Sequence, residues 1–106
     1  MTDGLQKTFR ALADPTRRNI LLHLSRQDMT IGEVASHFDV TRAAIKKHLT
    51  ILEEGKLLSV RVQGRERINH LEPLKLKSVS DWTNHFSQFW DGRLQALQSV
   101  IEEEEQ

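Results

Sequence analysis

Apolar positions along the chain change period twice, and the changes divide it into elements. Leu5, Phe9 and Leu12 recur every three or four residues, which predicts a first helix over about 4–13. Asp14-Pro15 restarts the chain, because Asp is a favoured helix cap and Pro fits the first helical position. A second helix is therefore expected from Pro15 to Ser25, with Ile20, Leu21 and Leu24 inward and Arg17 and Arg18 on its early, outer turn. Thr30-Ile31-Gly32-Glu33 fits a capping box and opens a short third helix to about His37, with Val34 and Phe38 packing inward. Asp39-Val40 supplies a turn. Thr41 can then cap a fourth helix, 41–54, and Gly55 stands where a left-handed residue often ends a helix.

The period then drops to two. Leu58 to Val62 alternates, Gln63-Gly64-Arg65 turns, and Glu66 to Leu71 alternates again, so 58–71 predicts a hairpin. Glu72-Pro73 ends it, and a long helix is expected from about Leu74 or Ser78 into the acidic run Glu102 to Glu105. The 106 residues suit a single domain with one small core. The expected fold is mainly α with a small β-hairpin wing: a winged helix-turn-helix, in the order of four helices, two strands and a last helix, over residues 1–106.

At about 100° per residue, Ile45, Leu49 and Leu52 share one face of the fourth helix and Ala43, Lys46, Lys47 and Thr50 the opposite one. In a helix-turn-helix the early residues of the second helix approach base edges, which singles out Thr41 at its cap with Arg42, Ala43, Lys46 and Lys47. Arg and Lys suit guanine N7 and O6, an alanine methyl can meet a thymine methyl, and Lys47 can instead hold phosphate. A charged helix face is commonly just a solvated one. The hairpin shifts the balance, since Arg61, Arg65 and Arg67 surround its Gly64 turn, where a cationic tip can clamp phosphates or enter a minor groove. His48, at the edge of the packed face, is expected to be structural or to contact phosphate.

Charge sharpens this picture. The chain is neutral overall, with 15 basic and 15 acidic residues, yet residues 1–71 carry 12 Lys and Arg against 8 Asp and Glu, while 72–106 carry 3 against 7. A basic body with an acidic tail fits a nucleic-acid partner. There is no cysteine, which excludes disulfides, thiolate metal sites and cysteine nucleophiles. No signal-peptide core and no apolar run of membrane-spanning length occur, so a soluble, cytoplasmic protein is expected. Neither a Gly-rich phosphate loop nor a carboxylate pair with a matched His is present, and the five His are scattered at 23, 37, 48, 70 and 85. No enzymatic activity and no cofactor are expected.

With these residues in place, the chain resembles the ArsR/SmtB family of small bacterial winged-helix repressors. The likeness rests on ALADPTRRNILLHL, on EVASHFDVTRAAIKKHLTILEEGKLL and on VRVQGRERINHL, together about residues 11–71. It implies a homodimeric transcription factor, usually a repressor, that binds palindromic operators through helix 41–54 and wing 58–71 and often controls its own transcription unit. Many members sense metal through cysteines near the third helix, where this chain has Met29-Thr30-Ile31-Gly32-Glu33-Val34; others use carboxylates and His on the last helix, where only Asp81 and His85 resemble a half-site. FWDGRLQAL resembles the metal-independent branch. Asp81 and His85, four apart, are expected to form a surface pair.

The last helix presents Val79, Trp82, Phe86, Phe89, Trp90, Leu94, Leu97 and Ile101 at spacings of three, four and seven, a broad apolar stripe. Such a stripe is more often core or dimer seam than an effector pocket. In the resembled family the first and last helices form the dimer interface, which places Leu5 and Phe9, and helices of about 4–13 and 74–102, in that seam. Two other readings stay open: a winged-helix module that binds protein instead of DNA, and a metal-responsive repressor with a site lacking cysteine.

Overall fold

Three helices begin where a side-chain oxygen takes up a free backbone amide. Asp14 Oδ2 accepts from the Arg17 amide at 3.1 Å, Thr41 Oγ1 from the Ala44 amide at 3.1 Å, and Thr30 Oγ1 from the Glu33 amide at 3.2 Å. Glu33 Oε1 in turn accepts from the Thr30 amide at 2.9 Å, closing the expected capping box. The computed structural model describes residues 2–105, with side chains described from 5 to 104. In order these residues form α1 (Thr2–Leu12), α2 (Pro15–Leu24), β1 (Met29–Thr30), α3 (Ile31–Ala35), α4 (Arg42–Glu54), β2 (Leu58–Gln63), β3 (Glu66–Leu71), α5 (Leu74–Thr83), a 3₁₀ turn (Asn84–Phe86) and α6 (Ser87–Glu105). The fold is the expected helical one with a small antiparallel sheet.

The core gathers Ile20, Leu21 and Leu24 of α2, Val34 of α3, Ile45, Leu49 and Leu52 of α4, and Leu57 and Leu58 at the entry to the wing, with Phe38 packed at its edge. Each large side chain buried here contributes about 1.5–3 kcal/mol by leaving water. Burial of Ile45, Leu49 and Leu52 fixes the rotation of α4 about its axis and so turns the opposite face outward.

The wing is larger than the sequence suggests. Met29 and Thr30 pair antiparallel with Asn69 and Ile68, making a three-stranded sheet in the order β1-β3-β2. The buried Asn69 Nδ2 donates to the Met29 carbonyl at 3.1 Å, and the Glu72 amide donates to the Leu57 carbonyl at 2.9 Å, so the hairpin is fastened at its base. Gly64, at φ +66°, makes the turn at its tip.

Several boundaries differ from expectation. α3 stops at Ala35, two residues short of His37, where Ser36 Oγ bonds the Glu33 carbonyl at 2.7 Å and the His37 amide bonds Val34 with tighter winding. The left-handed residue after α4 is Lys56, at φ 59°, not Gly55, at φ −79°. The Leu57 amide bonds the Leu52 carbonyl at 3.0 Å and the Lys56 amide bonds Glu53 at 2.9 Å, a Schellman closure with Lys in the glycine place. Gly55 is needed for a different reason: a Cβ there would stand 2.9 Å from the Lys7 carbonyl oxygen and 3.2 Å from Ala11 Cβ.

The last helix is not continuous. It changes to 3₁₀ winding at Asn84–Phe86, between α5 and α6. Asp81 is held by Lys77, whose Nζ lies 3.1 Å from both carboxylate oxygens, in place of the expected pair with His85. Lys77 shares the unbroken α5 with Asp81, whereas His85 lies beyond the change of winding.

Candidate nucleic-acid interface

α4 turns a polar face to solvent. Ala43, Lys46, Lys47 and Thr50 are exposed, and with Ala44 they line a shallow, open hollow along the helix. The two alanines keep its floor low and the two lysines border it. Thr50 Oγ1 bonds back to the Lys46 carbonyl at 3.0 Å.

The inner face of the wing meets α4 across a cleft of about 300 Å³ lined by Arg42, Lys46, Thr50, Glu53, Val60 and Arg67 among others. Arg42, Arg65 and Arg67 also border a second hollow over Thr30 and Gly32, and Arg42 Nη1 lies 3.9 Å from where a Gly32 Cβ would be. Arg42 thus reaches back over the start of α3 towards the wing, while Lys46 and Lys47 stand on the outer face of α4.

The structure does not bring the three wing arginines together. Arg67 faces α4, Arg65 lies at the tip, and Arg61, on the other face of the sheet, is bound to Asp28. Arg61 Nη1 donates to Asp28 Oδ2 at 2.7 Å, and His70 Nδ1 lies 2.7 Å from Asp28 Oδ1. The hydrogen bond from Arg61, then that from His70, hold the Asp28 carboxyl below the ordinary aspartate range.

His48 is turned the other way. Its Nδ1 lies 3.2 Å from Arg17 Nη1, and the ring is half-buried against α2. Arg17 Nε and Nη2 donate to the Ala11 and Arg10 carbonyls at 2.8 and 3.0 Å, and Arg18 Nη1 donates to the Leu12 carbonyl at 2.7 Å. The two arginines of DPTRR, expected on an outer turn, therefore close the C-terminal end of α1. Only the pairing of a donor-rich dipeptide with the last turn of the preceding helix points to this in the sequence.

The residues expected at a seam lie on α1, α5 and α6. Phe9 meets Trp82 edge-on with ring centroids 5.3 Å apart, Trp82 meets Phe86 at 5.2 Å, and Phe86 meets Phe89 at 6.5 Å. Leu5 and Val79 are half-buried, while Phe89, Trp90, Leu94, Leu97 and Ile101 are 41–58% exposed. Among the described residues, no helix is long and apolar enough to cross a membrane, and no group of three or more His, Asp or Glu side chains is placed to hold a metal ion.

Two capped helices, α3 and α4, followed by a hairpin that pairs back with the short strand before them, are the frame of a winged helix-turn-helix regulator. The helix-turn-helix domain family matches residues 12–61. The transcriptional repressor SdpR of Bacillus subtilis is 34% identical over 82 residues, which are 77% of this chain and 91% of that protein. The HTH-type transcriptional regulator Rv2034 of Mycobacterium tuberculosis is 31% identical over 92% of this chain and 89% of its own. An ArsR-like transcriptional regulator from Rhodococcus sp. RHA1 superposes with a TM-score of 0.73 at 31% identity, covering 93% of both chains. The chain belongs to the ArsR family of helix-turn-helix transcriptional regulators. It is a regulator, like these relatives, and not an enzyme.

Proposed function

We propose that the protein is a homodimeric repressor that binds a palindromic operator in double-stranded DNA, laying α4 in the major groove and the wing along the flanking backbone. The observation that carries this reading is the split of α4 into a buried face, Ile45, Leu49 and Leu52, and an outer face of Ala43, Lys46, Lys47 and Thr50. Such a face can offer two ammonium donors to base edges and small side chains that permit close approach. Arg42, Arg65 and Arg67 supply cations on the wing side, suited to phosphate. Repression is supported by the likeness to SdpR, a transcriptional repressor.

Dimerisation is supported by the exposed apolar residues of α5 and α6. A contiguous apolar face on a small domain is energetically unfavourable in water, and a second copy covers it symmetrically. The test is a salt-dependent mobility-shift titration on DNA upstream of the protein's own gene. Saturable binding that discriminates this DNA from random sequence at moderate salt is expected, and its absence would remove the proposal.

A further inference from the structure

We propose that Arg17 locks His48 as the neutral ring with its proton on Nε2, and that this outward Nε2–H donates to a DNA backbone phosphate on the α2 side of the groove. The inference rests on the DNA-binding reading above.

The tautomer follows from donor and acceptor counting. A guanidinium has five N–H donors and no acceptor, so an imidazole nitrogen 3.2 Å from Arg17 Nη1 must accept, and Nδ1 must be bare. The remaining proton is then on Nε2. Arg17 cannot turn away cheaply, because its Nε and Nη2 are committed to the Ala11 and Arg10 carbonyls at the end of α1. Asp14 Oδ2, the other polar atom near Nδ1, is 4.0 Å away, too far to hold a proton there. Every fully buried side-chain nitrogen and oxygen among the described residues has a hydrogen-bond partner, whereas Nε2 of the partly exposed His48 forms no hydrogen bond; that atom is therefore not sealed from solvent.

Its place on the helix gives the donor a use. His48 lies one turn beyond Ala44, which lines the outer hollow, and on the flank towards α2. Arg42 and Arg67 lie on the opposite, wing flank. A major groove is about 12 Å wide and bordered by two phosphate backbones, so a helix seated in it needs a donor on each flank. The wing supplies cations on one side; the oriented, uncharged His48 supplies the other. Arg17 is the positioning residue, and through it the end of α1 sets the ring that meets the backbone.

Nitrogen-15 NMR of the imidazole rings in the free, full-length protein tests the lock without DNA: bare Nδ1 and protonated Nε2 are expected for His48 near neutral pH, with the lock lost in Arg17→Lys. A proton on Nδ1 overturns it. The phosphate contact is tested by two substitutions that each keep one ring nitrogen's role. His48→Gln retains a donor near Nε2 and should bind operator within about threefold of wild type. His48→Asn retains an acceptor near Nδ1 but no outer donor, and should bind about tenfold more weakly, the size of one lost hydrogen bond to a charged acceptor. A neutral donor displaces no counterion, so the slope of affinity against salt should not change. Wild-type affinity for His48→Asn, with native thermal unfolding, overturns the contact. If wild-type protein binds no DNA, the phosphate contact falls with the DNA reading, while the ring spectrum still decides the tautomer.

Discussion

The Thr8 hydroxyl donates to the Gly55 carbonyl at 2.9 Å, across 47 residues of sequence, and the two backbones touch there because Gly55 has no side chain. This contact seats α1 on the end of α4. Gly55→Ala should therefore destabilise the protein by about 1–3 kcal/mol, since the Lys7 carbonyl cannot yield without moving α1. Lys56→Gly should do the reverse, raising stability by up to about 1 kcal/mol as left-handed strain is relieved. Urea denaturation of both checks the assignment; equal effects would show that the glycine is conformational after all.

His23 and His37 stack with ring centroids 4.2 Å apart, and Phe38 meets His23 edge-on at 5.6 Å. Burial, then the neighbouring His37 and Arg26, push the His23 pKa below the ordinary histidine value. The unfolded ring, at about 6.5, takes up a proton first, so this contribution to stability is present above that pH and is lost as pH falls through the folded value. Thermal unfolding should show a lower Tm at about pH 5.5 than at about pH 7.5, and His37→Gln should shrink the difference. An unchanged difference in that variant would detach the effect from the stack.

Lys46 and Arg65 occupy different parts of the proposed interface. Lys46→Ala should cost about 1–3 kcal/mol on the operator and far less on random DNA. Arg65→Ala should weaken both and lower the salt slope by about 1, as one phosphate contact is lost. Parallel titrations on the two DNAs would contradict these roles if both variants behaved alike.

Trp90 is 41% exposed on α6 amid other uncovered apolar side chains. Trp90→Asp should place a charge in the proposed seam and turn a dimer into a monomer by sedimentation. A mass unchanged by the substitution would put the seam elsewhere.

What can be read from the sequence is what neighbours decide. The Thr30 and Glu33 capping box, the Asp14 and Thr41 caps and the inward set Ile45, Leu49 and Leu52 depend on residues within a turn or two of one another, and they stand as their spacing predicts. β1 has two residues, too few to show alternation. The Arg17 bond to His48 spans 31 residues and the Arg61 bond to Asp28 spans 33, so nothing local reveals either partner. Gly55 misleads for the same reason. A glycine after a helix suggests a left-handed cap, and only the distant α1 explains why the side chain is missing.

The 3₁₀ turn at Asn84–Phe86 places a joint at the base of a lever. Nineteen residues rising about 1.5 Å each carry α6 roughly 28 Å beyond it, so a tilt of about 10° displaces the far end by about 5 Å. That exceeds the rise of about 3.4 Å between stacked base pairs. In the proposed dimer, the angle at this joint gears the grip between copies to the distance between their two reading helices.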